Sequence, residues 1–173
     1  FIVQQLMKQV VEDFALSVLW KGIHMGPIAG YANPSTDIAN GFLELLYQDI
    51  ITGKVIPYIT GPVSSNNAVE VIEDFVKANL DTDAKRARKH YLHCSLDLVD
   101  MYHKNYRSTY GTYIHANEFG HMRVSGTNVD LVPHSGLIGS QRLVMAEQMN
   151  MYVGQDGAMS FIVENRARTT YFL

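Results

Sequence analysis

The dominant spacing of apolar residues differs between the two halves of the chain, and this difference limits the folds that it can adopt. Before Gly111 apolar residues recur every three to four positions, as they do along one face of an α-helix. After Met122 they form short runs separated by Gly, Asn and Pro, which is typical of strands joined by turns. Helical segments followed by strands predict an α+β fold and not a doubly wound sheet of alternating units.

The first two predicted helices flank a stretch rich in Gly and Pro. One covers residues 1 to about 21 and ends at Gly22, and the turn-forming residues after it predict a crossing between domains. The other is expected to be capped by Ser35-Thr36-Asp37, to run over 38–50 and to end at Gly53. Its apolar face is expected to lie in the core.

The remaining elements follow in the same way. A third helix is predicted through 69–76 with caps in 64–67, a short helix over 84–89, and a fourth helix from the cap Ser95 to Gly111. Strands are predicted at 55–59, which Pro57 would break, and at 91–94, 122–124, 129–133, 142–146, 151–153, 160–163 and 169–173. A turn at 125–128 would join the third and fourth of these.

Composition excludes several classes of protein. Charged residues make up 18% of the chain and the net charge is −3, so wholesale neutralisation of phosphates is not expected. The single cysteine, Cys94, excludes an intrachain disulfide and a multi-cysteine metal site. No apolar run approaches the roughly 20 residues that cross a bilayer, and no signal sequence opens the chain, so we expect a soluble protein. Both ends of the sequence are expected to be cut.

The seven histidines raise the question of a metal site. His90 and His93, joined by His103 or Cys94, form the nearest approach to a ligand cluster. No HExxH or paired CxxC pattern brings three or four ligands together, so core or surface histidines are the simpler interpretation. We therefore predict no metal residue, no catalytic residue and no cofactor-binding residue.

Three further stretches have simple structural explanations. Ser140 lacks the Gly-x-Ser-x-Gly pattern of a nucleophile elbow and is expected in a turn, and Gly53-Lys54 does not complete a phosphate loop. The basic run over 85–90 is expected to be a solvated helix face, with an acidic partner subunit or nucleic acid as the alternatives.

Tyrosines recur within a short part of the chain. The residues are Tyr102, Tyr106, Tyr110 and Tyr113. They could stack on bases or sugars, but helical spacing favours packing in a core or an interface.

Five stretches follow one another in a distinctive order. They are Tyr91-Leu92-His93-Cys94-Ser95, Tyr102 to Gly111, Val124 to Val129, Leu131-Val132-Pro133 and Met149 to Asp156. This order resembles that of tailed-bacteriophage major capsid proteins, particularly those of phages and prophages of gut Bacteroidetes. Each stretch is only a turn or a cap, and the resemblance lies in their order and spacing over about two-thirds of the chain.

The resemblance implies the Hong Kong-type capsid fold, with a long spine helix and a small β-sheet in a peripheral domain and an inserted α+β axial domain. Residues 1–22 would be the spine helix, 23–157 the axial domain and 158–173 the returning peripheral strands. The family's N-terminal arm and extended β-hairpin would precede Phe1. Loops at 60–67 and 113–121 would meet near the centre of a capsomer.

The implied function is that of a structural protein and not an enzyme. Copies would form the pentamers and hexamers of an icosahedral head that encloses DNA without sequence-specific binding, in a virion assembled in the bacterial host cytoplasm. Scaffold, portal or decoration proteins would be further partners, and no membrane would be involved. The alternatives are a small metal-dependent hydrolase that uses the histidines, another head or tail subunit of the virion, and a carbohydrate-binding module that uses the tyrosines.

Overall fold

The chain folds as an α+β protein that combines helices with a small mixed sheet. The computed structural model describes residues 2–26, 29–30, 33–111, 122–147 and 151, and the backbone of 163–166 and 169–172. This architecture confirms the prediction of an α+β fold, and the Hong Kong-type capsid fold stays a prediction.

The predicted first helix is confirmed and is continuous through a change of helix type. Helix α1, Ile2–Asp13, passes into a π-helical turn, Phe14–Val18, and then into α2, Leu19–Lys21. The Leu19 amide donates to the Phe14 carbonyl, which is the i→i+5 bond of a π turn. We call these three parts the N-terminal helix.

The N-terminal helix ends where its backbone meets the segment before the next helix. Gly22 leaves the helix with an extended ψ of 140°, and the Gly41 amide donates to the Gly22 carbonyl over 2.8 Å. A Cβ on Gly22 would lie 2.4 Å from the Ala39 carbonyl oxygen, and one on Gly41 would lie 2.7 Å from the Trp20 carbonyl carbon. Only glycine allows this approach.

This contact overturns the predicted start of the second helix. Ser35–Asp37 form a separate 3-10 turn, and α3, Phe42–Ile51, begins four residues later than Ile38. Gly41 has extended backbone angles because it is bonded to Gly22, so the helix can begin only after it. The expected burial of its apolar face is also wrong, since none of the ten residues of α3 is buried.

The next three helices lie close to their predicted positions. They are α4, Ala68–Asn79; α5, Asp83–Ala87; and α6, Leu96–Tyr110. The predicted cap of α6 is confirmed, because Ser95 Oγ accepts from the Leu98 amide and Gly111 ends the helix at φ +66°. Helix α5 ends two residues before its predicted end, and the residues after it lead into a strand.

Helix α4 is capped from a distant part of the chain. Its N-cap residue, Asn67, makes no side-chain cap bond, contrary to prediction. Instead the Val69 amide donates to Oδ1 of Asn105, a buried residue of α6, over 2.9 Å. Because a buried amide without an acceptor is costly, this bond fixes α4 against α6.

The three-stranded sheet has the order β2-β1-β3. Strand β1 is His90–Cys94, β2 is Val129–Pro133 and β3 is Val144–Glu147. β1 pairs in parallel with β2 and antiparallel with β3, so α6 forms the crossover between β1 and β2. These three strands confirm the predictions at 91–94, 129–133 and 142–146, with ends shifted by one or two residues.

The predicted turn before β2 is confirmed, but the strand predicted at 122–124 is only an isolated bridge between Arg123 and Asp130. The Val124 amide donates to the Val129 carbonyl over 2.9 Å, and the Leu131 amide donates to the Met122 carbonyl over 2.7 Å. Gly126 takes the left-handed φ of +69° that the turn requires.

The core lies between the sheet and the helices α4 and α6. It consists of Val63, Ala68, Val69, Ile72, Phe75, Val76, Leu80, Leu92, Cys94, Leu98, Val99, Tyr102, Val124, Val129 and Leu131.

The predicted strand at 55–59 is wrong. These residues are irregular and exposed, and Pro57 has no amide with which to join a sheet ladder. The prediction at 169–173 is confirmed over β5, Thr169–Phe172, which pairs antiparallel with β4, Val163–Arg166. Residues 152–153 and 160–162 lie outside the described residues, and Met151 is in no element. The domain boundaries after residues 22 and 157 stay predictions.

Candidate interaction surface

An open groove is lined mainly by apolar side chains from four parts of the chain. Its volume is about 480 Å³. Helix α3 contributes Leu43, Leu46, Tyr47 and Ile50. Phe75 of α4 and Val144 and Met145 of β3 also line the groove, as does the chain that follows α3. We call this the apolar groove.

Two isoleucines project into solvent beside the groove. Ile56 and Ile59 are each 90% exposed, and we call this pair the isoleucine ridge. Ile56 also borders the groove, so the ridge and the groove lie on adjoining parts of the surface. No backbone–backbone hydrogen bond joins 56–61 to another described residue. The isoleucine ridge is therefore an exposed apolar surface on a segment outside any regular element.

The segment that carries the ridge is held at both ends and in the middle. Before it, the amides of Lys54 and Val55 donate to the Asp49 carbonyl over 2.9 and 3.2 Å. After it, the side-chain amide of Gln141 accepts from the Val63 amide and donates to the Val63 carbonyl, each over 3.2 Å.

Between these ends, the Tyr58 ring packs edge-on against Phe75 at a centroid distance of 5.8 Å. Pro57 fixes one backbone angle between the two isoleucines. The ridge is therefore presented by an anchored segment and does not depend on a regular strand.

Strand β3 presents an open edge of the sheet next to the groove. It pairs with β1 on one side, and in the sheet formed by the described strands it has no neighbour on the other. All four of its residues are half-buried. Unpaired edges are places where another chain can add main-chain hydrogen bonds.

The histidines singled out as candidate ligands are not brought together. His90 and His93 point to opposite faces of β1 because successive side chains of a strand alternate, and His103 lies on α6. His90 is buried with Nε2 3.8 Å from a carboxylate oxygen of Glu147. No group of three or more potential ligands is placed to hold a metal ion in the described part of the chain.

His93 instead pairs with a histidine that the sequence did not single out. Its Nδ1 lies 2.7 Å from Nε2 of His134, and the Trp20 ring contacts both imidazoles at centroid distances of 5.7 and 4.8 Å. Burial, and then the neighbouring His134, lower the pKa of His93 to about 4. The cluster joins the N-terminal helix to the sheet.

Cys94 and Ser140 have structural roles. Cys94 is buried in the core, and burial raises the pKa of its thiol to about 12, so it is neither a nucleophile nor a ready ligand at neutral pH. Ser140 lies in the predicted turn: its amide donates to the Leu137 carbonyl over 2.9 Å, and Gly139 takes a φ of +75°.

The basic run is partly a solvated helix face, and its cations contact acids of the same chain. Lys85 and Arg86, on the exposed α5, lie 2.7 and 4.0 Å from Asp81 and Asp83. Arg88 lies 3.0 Å from Glu147.

Lys89 differs from its neighbours because its partner is deep in the fold. It lies 3.2 Å from the fully buried Asp130, whose other oxygen accepts from Arg123 over 3.1 Å. Hydrogen bonding to Asp130 raises the pKa of Lys89. The run is therefore largely neutralised within the chain.

The tyrosines of α6 form a row that passes from the core to the surface. Tyr102 is fully buried and its hydroxyl accepts from the Ser125 amide over 3.3 Å. Ring centroids are 6.2 Å apart for Tyr102 and Tyr106 and 4.7 Å apart for Tyr106 and Tyr110, which is exposed. This confirms core packing for Tyr102, whereas Tyr113 lies outside the described residues.

Sequence reasoning missed the ridge and the groove. The run Val55-Ile56-Pro57-Tyr58-Ile59 has the apolar content that predicts a strand, whereas the proline in its centre argues against one. An apolar run that cannot join a sheet must pack elsewhere or stay exposed. The proline in this run is therefore the sequence feature that could have indicated an exposed apolar segment. Of the two predicted capsomer loops, 60–67 adjoins the ridge and 113–121 lies outside the described residues.

No family model matches this chain, and no curated protein or solved structure is significantly similar to it. Within the described residues, no helix is both long enough and apolar enough to cross a membrane.

Proposed function

We propose that this chain is a structural subunit that assembles with copies of itself. The supporting observation is the isoleucine ridge next to the apolar groove, because exposed apolar surface of this extent is typical of an interaction site. The resemblance to major capsid proteins extends the proposal to a capsid subunit, with a spine helix at 1–22, an axial domain at 23–157 and peripheral strands at 158–173.

The exposed apolar residues of this part of the chain support a protein partner. They are Leu45, Tyr47, Ile50, Ile51, Val55, Ile56, Tyr58 and Ile59. Apolar side chains that are exposed together, and not singly, are typical of an interaction site.

The charge of the chain supports a role in which it encloses DNA without binding it tightly. The net charge is −3, and the cations of the one basic run contact acids of the same chain. Strong binding to the DNA backbone requires unpaired cations that release counterions from phosphates. Because the cations of this run already contact acids of the same chain, they are poorly placed to bind phosphates, which fits a wall that encloses DNA without binding it tightly.

Assembly would use weak contacts repeated many times. Head-to-tail contacts around a rotation axis close into rings, and rings of five and six subunits close into an icosahedral shell. A subunit of this kind needs complementary surfaces and no reactive group.

The test is the assembly state of the whole gene product that contains this chain. The expected result is a mass that rises with protein concentration in size-exclusion chromatography with light scattering, and shells or capsomers in negative-stain electron microscopy. Tubes or small rings would favour another head or tail subunit. A protein that stays monomeric up to about 0.1 mM, well above the Kd range of standard interfaces, would overturn the proposal.

A further inference from the structure

We propose that Asn40-Gly41 is a modification site at which Asn40 loses its side-chain amide, and that the end of the N-terminal helix controls this reaction. It is the only Asn-Gly dipeptide in the sequence. One of the two products, isoaspartate, keeps the helix end from docking again, so the change works in one direction. This inference goes beyond the proposed function and does not depend on it.

The reaction needs only water. The backbone nitrogen of Gly41 attacks Cγ of Asn40, a C–N bond forms, and the side-chain nitrogen leaves as ammonia. The proton that the Gly41 nitrogen loses balances the one that ammonia gains. Water then opens the resulting succinimide at either carbonyl, which gives aspartate or isoaspartate. Glycine after asparagine favours the attack because it has no Cβ to hinder it.

The folded chain holds both reacting groups. The Gly41 amide, which would supply the nucleophile, donates to the Gly22 carbonyl over 2.8 Å. Oδ1 of Asn40 accepts from the His24 amide over 2.8 Å, which fixes the side-chain amide. An amide nitrogen whose proton is held by a carbonyl is not available for attack on Cγ. The reaction therefore requires that these two hydrogen bonds open.

Both bonds belong to a larger set at the end of the N-terminal helix. The Ile23 amide donates to the Thr36 carbonyl over 2.9 Å, and Nδ1 of His24 lies 2.8 Å from the Asp37 carbonyl oxygen. We call the two stretches joined in this way the helix-end clasp, residues 22–24 and 36–41. Such a small set of contacts can open locally without unfolding of the core.

The two products differ in whether the clasp can close again. Aspartate at position 40 keeps the main chain and an Oδ1 that can accept from His24. Isoaspartate adds one carbon to the main chain directly before Gly41, which has no room to shift. A Cβ on Gly41 would already lie 2.7 Å from the Trp20 carbonyl carbon and 2.8 Å from the Gly22 nitrogen. Isoaspartate therefore leaves the helix end undocked.

The first test compares the whole gene product with a peptide that copies residues 36–45. Both are incubated in the same mildly alkaline buffer, and peptide mapping by mass spectrometry follows the loss of the Asn40 amide. The loss should be about 100-fold or more slower in the folded protein, because only molecules with an open clasp react. This comparison needs no variant protein.

A matched pair of variants tests whether the clasp gives the protection. His24→Ala removes one contact of the clasp and should accelerate the loss about 2- to 10-fold, the factor expected for one hydrogen bond. Lys54→Ala removes an exposed ion pair with Asp49 outside the clasp and should leave the rate unchanged. Circular dichroism establishes that both variants are folded.

The second test examines the isoaspartyl form, separated by chromatography from protein aged in urea and refolded. Amide hydrogen exchange of residues 19–24 should be faster in this form than in the unchanged protein. Asn40→Asp reproduces the other product and should exchange as the unchanged protein does.

Each result supports or overturns the inference without reference to assembly. Equal rates in the protein and the peptide would overturn it, as would equal rates in His24→Ala and Lys54→Ala. Unchanged exchange of residues 19–24 in the isoaspartyl form would show that the helix end docks normally and would overturn it too. A protein that gives the expected rates but stays monomeric would remove the proposed function alone.

Discussion

Nδ1 of His93 and Nε2 of His134 lie 2.7 Å apart, beneath the ring of the only tryptophan. At this distance the N–H of one imidazole donates to the unprotonated nitrogen of the other. If both rings were protonated, two positive charges would lie in contact. Trp20 belongs to the N-terminal helix, His93 to β1, and His134 follows β2. The pair therefore links that helix to the sheet only while one of the rings stays neutral.

We expect stability to fall as the pH decreases from about 6.5 to about 4. The pKa of His93 is lowered from 6.5 to about 4 in the folded chain, so the unfolded chain takes up its proton first. This contribution is present above pH 6.5 and is lost as the pH approaches 4. Its size should be about 1–2 kcal/mol, reduced because the side chain is only partly buried.

The measurement is urea unfolding at several pH values, followed by the fluorescence of Trp20. The matched variant His93→Gln should show a flatter dependence over the same interval. If the free energy of unfolding of the variant falls equally steeply with decreasing pH, groups other than His93 cause the loss of stability.

Replacement of Gly41 by alanine should destabilise the chain by about 3 kcal/mol or more. A Cβ there would lie 2.7 Å from both the Trp20 carbonyl carbon and the Val18 carbonyl oxygen, and neither backbone atom can move without disturbing the N-terminal helix. Thermal unfolding measures the loss.

The control for this change is Gly139→Ala. Gly139 has a φ of +75° and open space around its Cβ position, so only backbone strain of about 1 kcal/mol is expected. If both changes cost the same, the close approach of Gly41 to the helix is not what requires glycine.

Asn105→Ala should lower the free energy of unfolding by about 1–3 kcal/mol. The change removes the acceptor of the Val69 amide and leaves a buried donor at the start of α4 without a partner. Chemical denaturation measures the effect, and amide hydrogen exchange of Val69 should accelerate. Asn66→Ala, an exposed change in the preceding turn, should stay within about 0.5 kcal/mol.

Tyr102→Phe should cost about 0.5–1.5 kcal/mol, because the Ser125 amide loses its acceptor while the ring packing is kept. Burial raises the pKa of Tyr102 to about 12, so its hydroxyl should not ionise in a spectrophotometric titration below about pH 11. The exposed Tyr110 provides the comparison, since Tyr110→Phe should leave stability unchanged. Early ionisation of Tyr102 would contradict its position in the core.

Local signals predicted most of the helices and the central sheet. The cap Ser95 and the stop Gly111 act on backbone groups a few residues away, so both ends of α6 follow from the sequence. The turn at Gly126 is equally local.

Features set by distant contacts could not be predicted. The start of α3 depends on a bond between Gly22 and Gly41, and the cap of α4 comes from Asn105, 36 residues beyond the amide that it binds. His93 and His134 are 41 positions apart, and no spacing rule joins them. The ridge and the groove are products of the assembled surface, which no local pattern describes.

Burial of Cys94 has a practical consequence. It is the only thiol of the sequence, and its location in the core keeps it protonated and away from reagents. A cysteine introduced on the outside of the folded protein would be the one site open to maleimides, so fluorophores or spin labels could be attached at chosen positions without first removing a native residue.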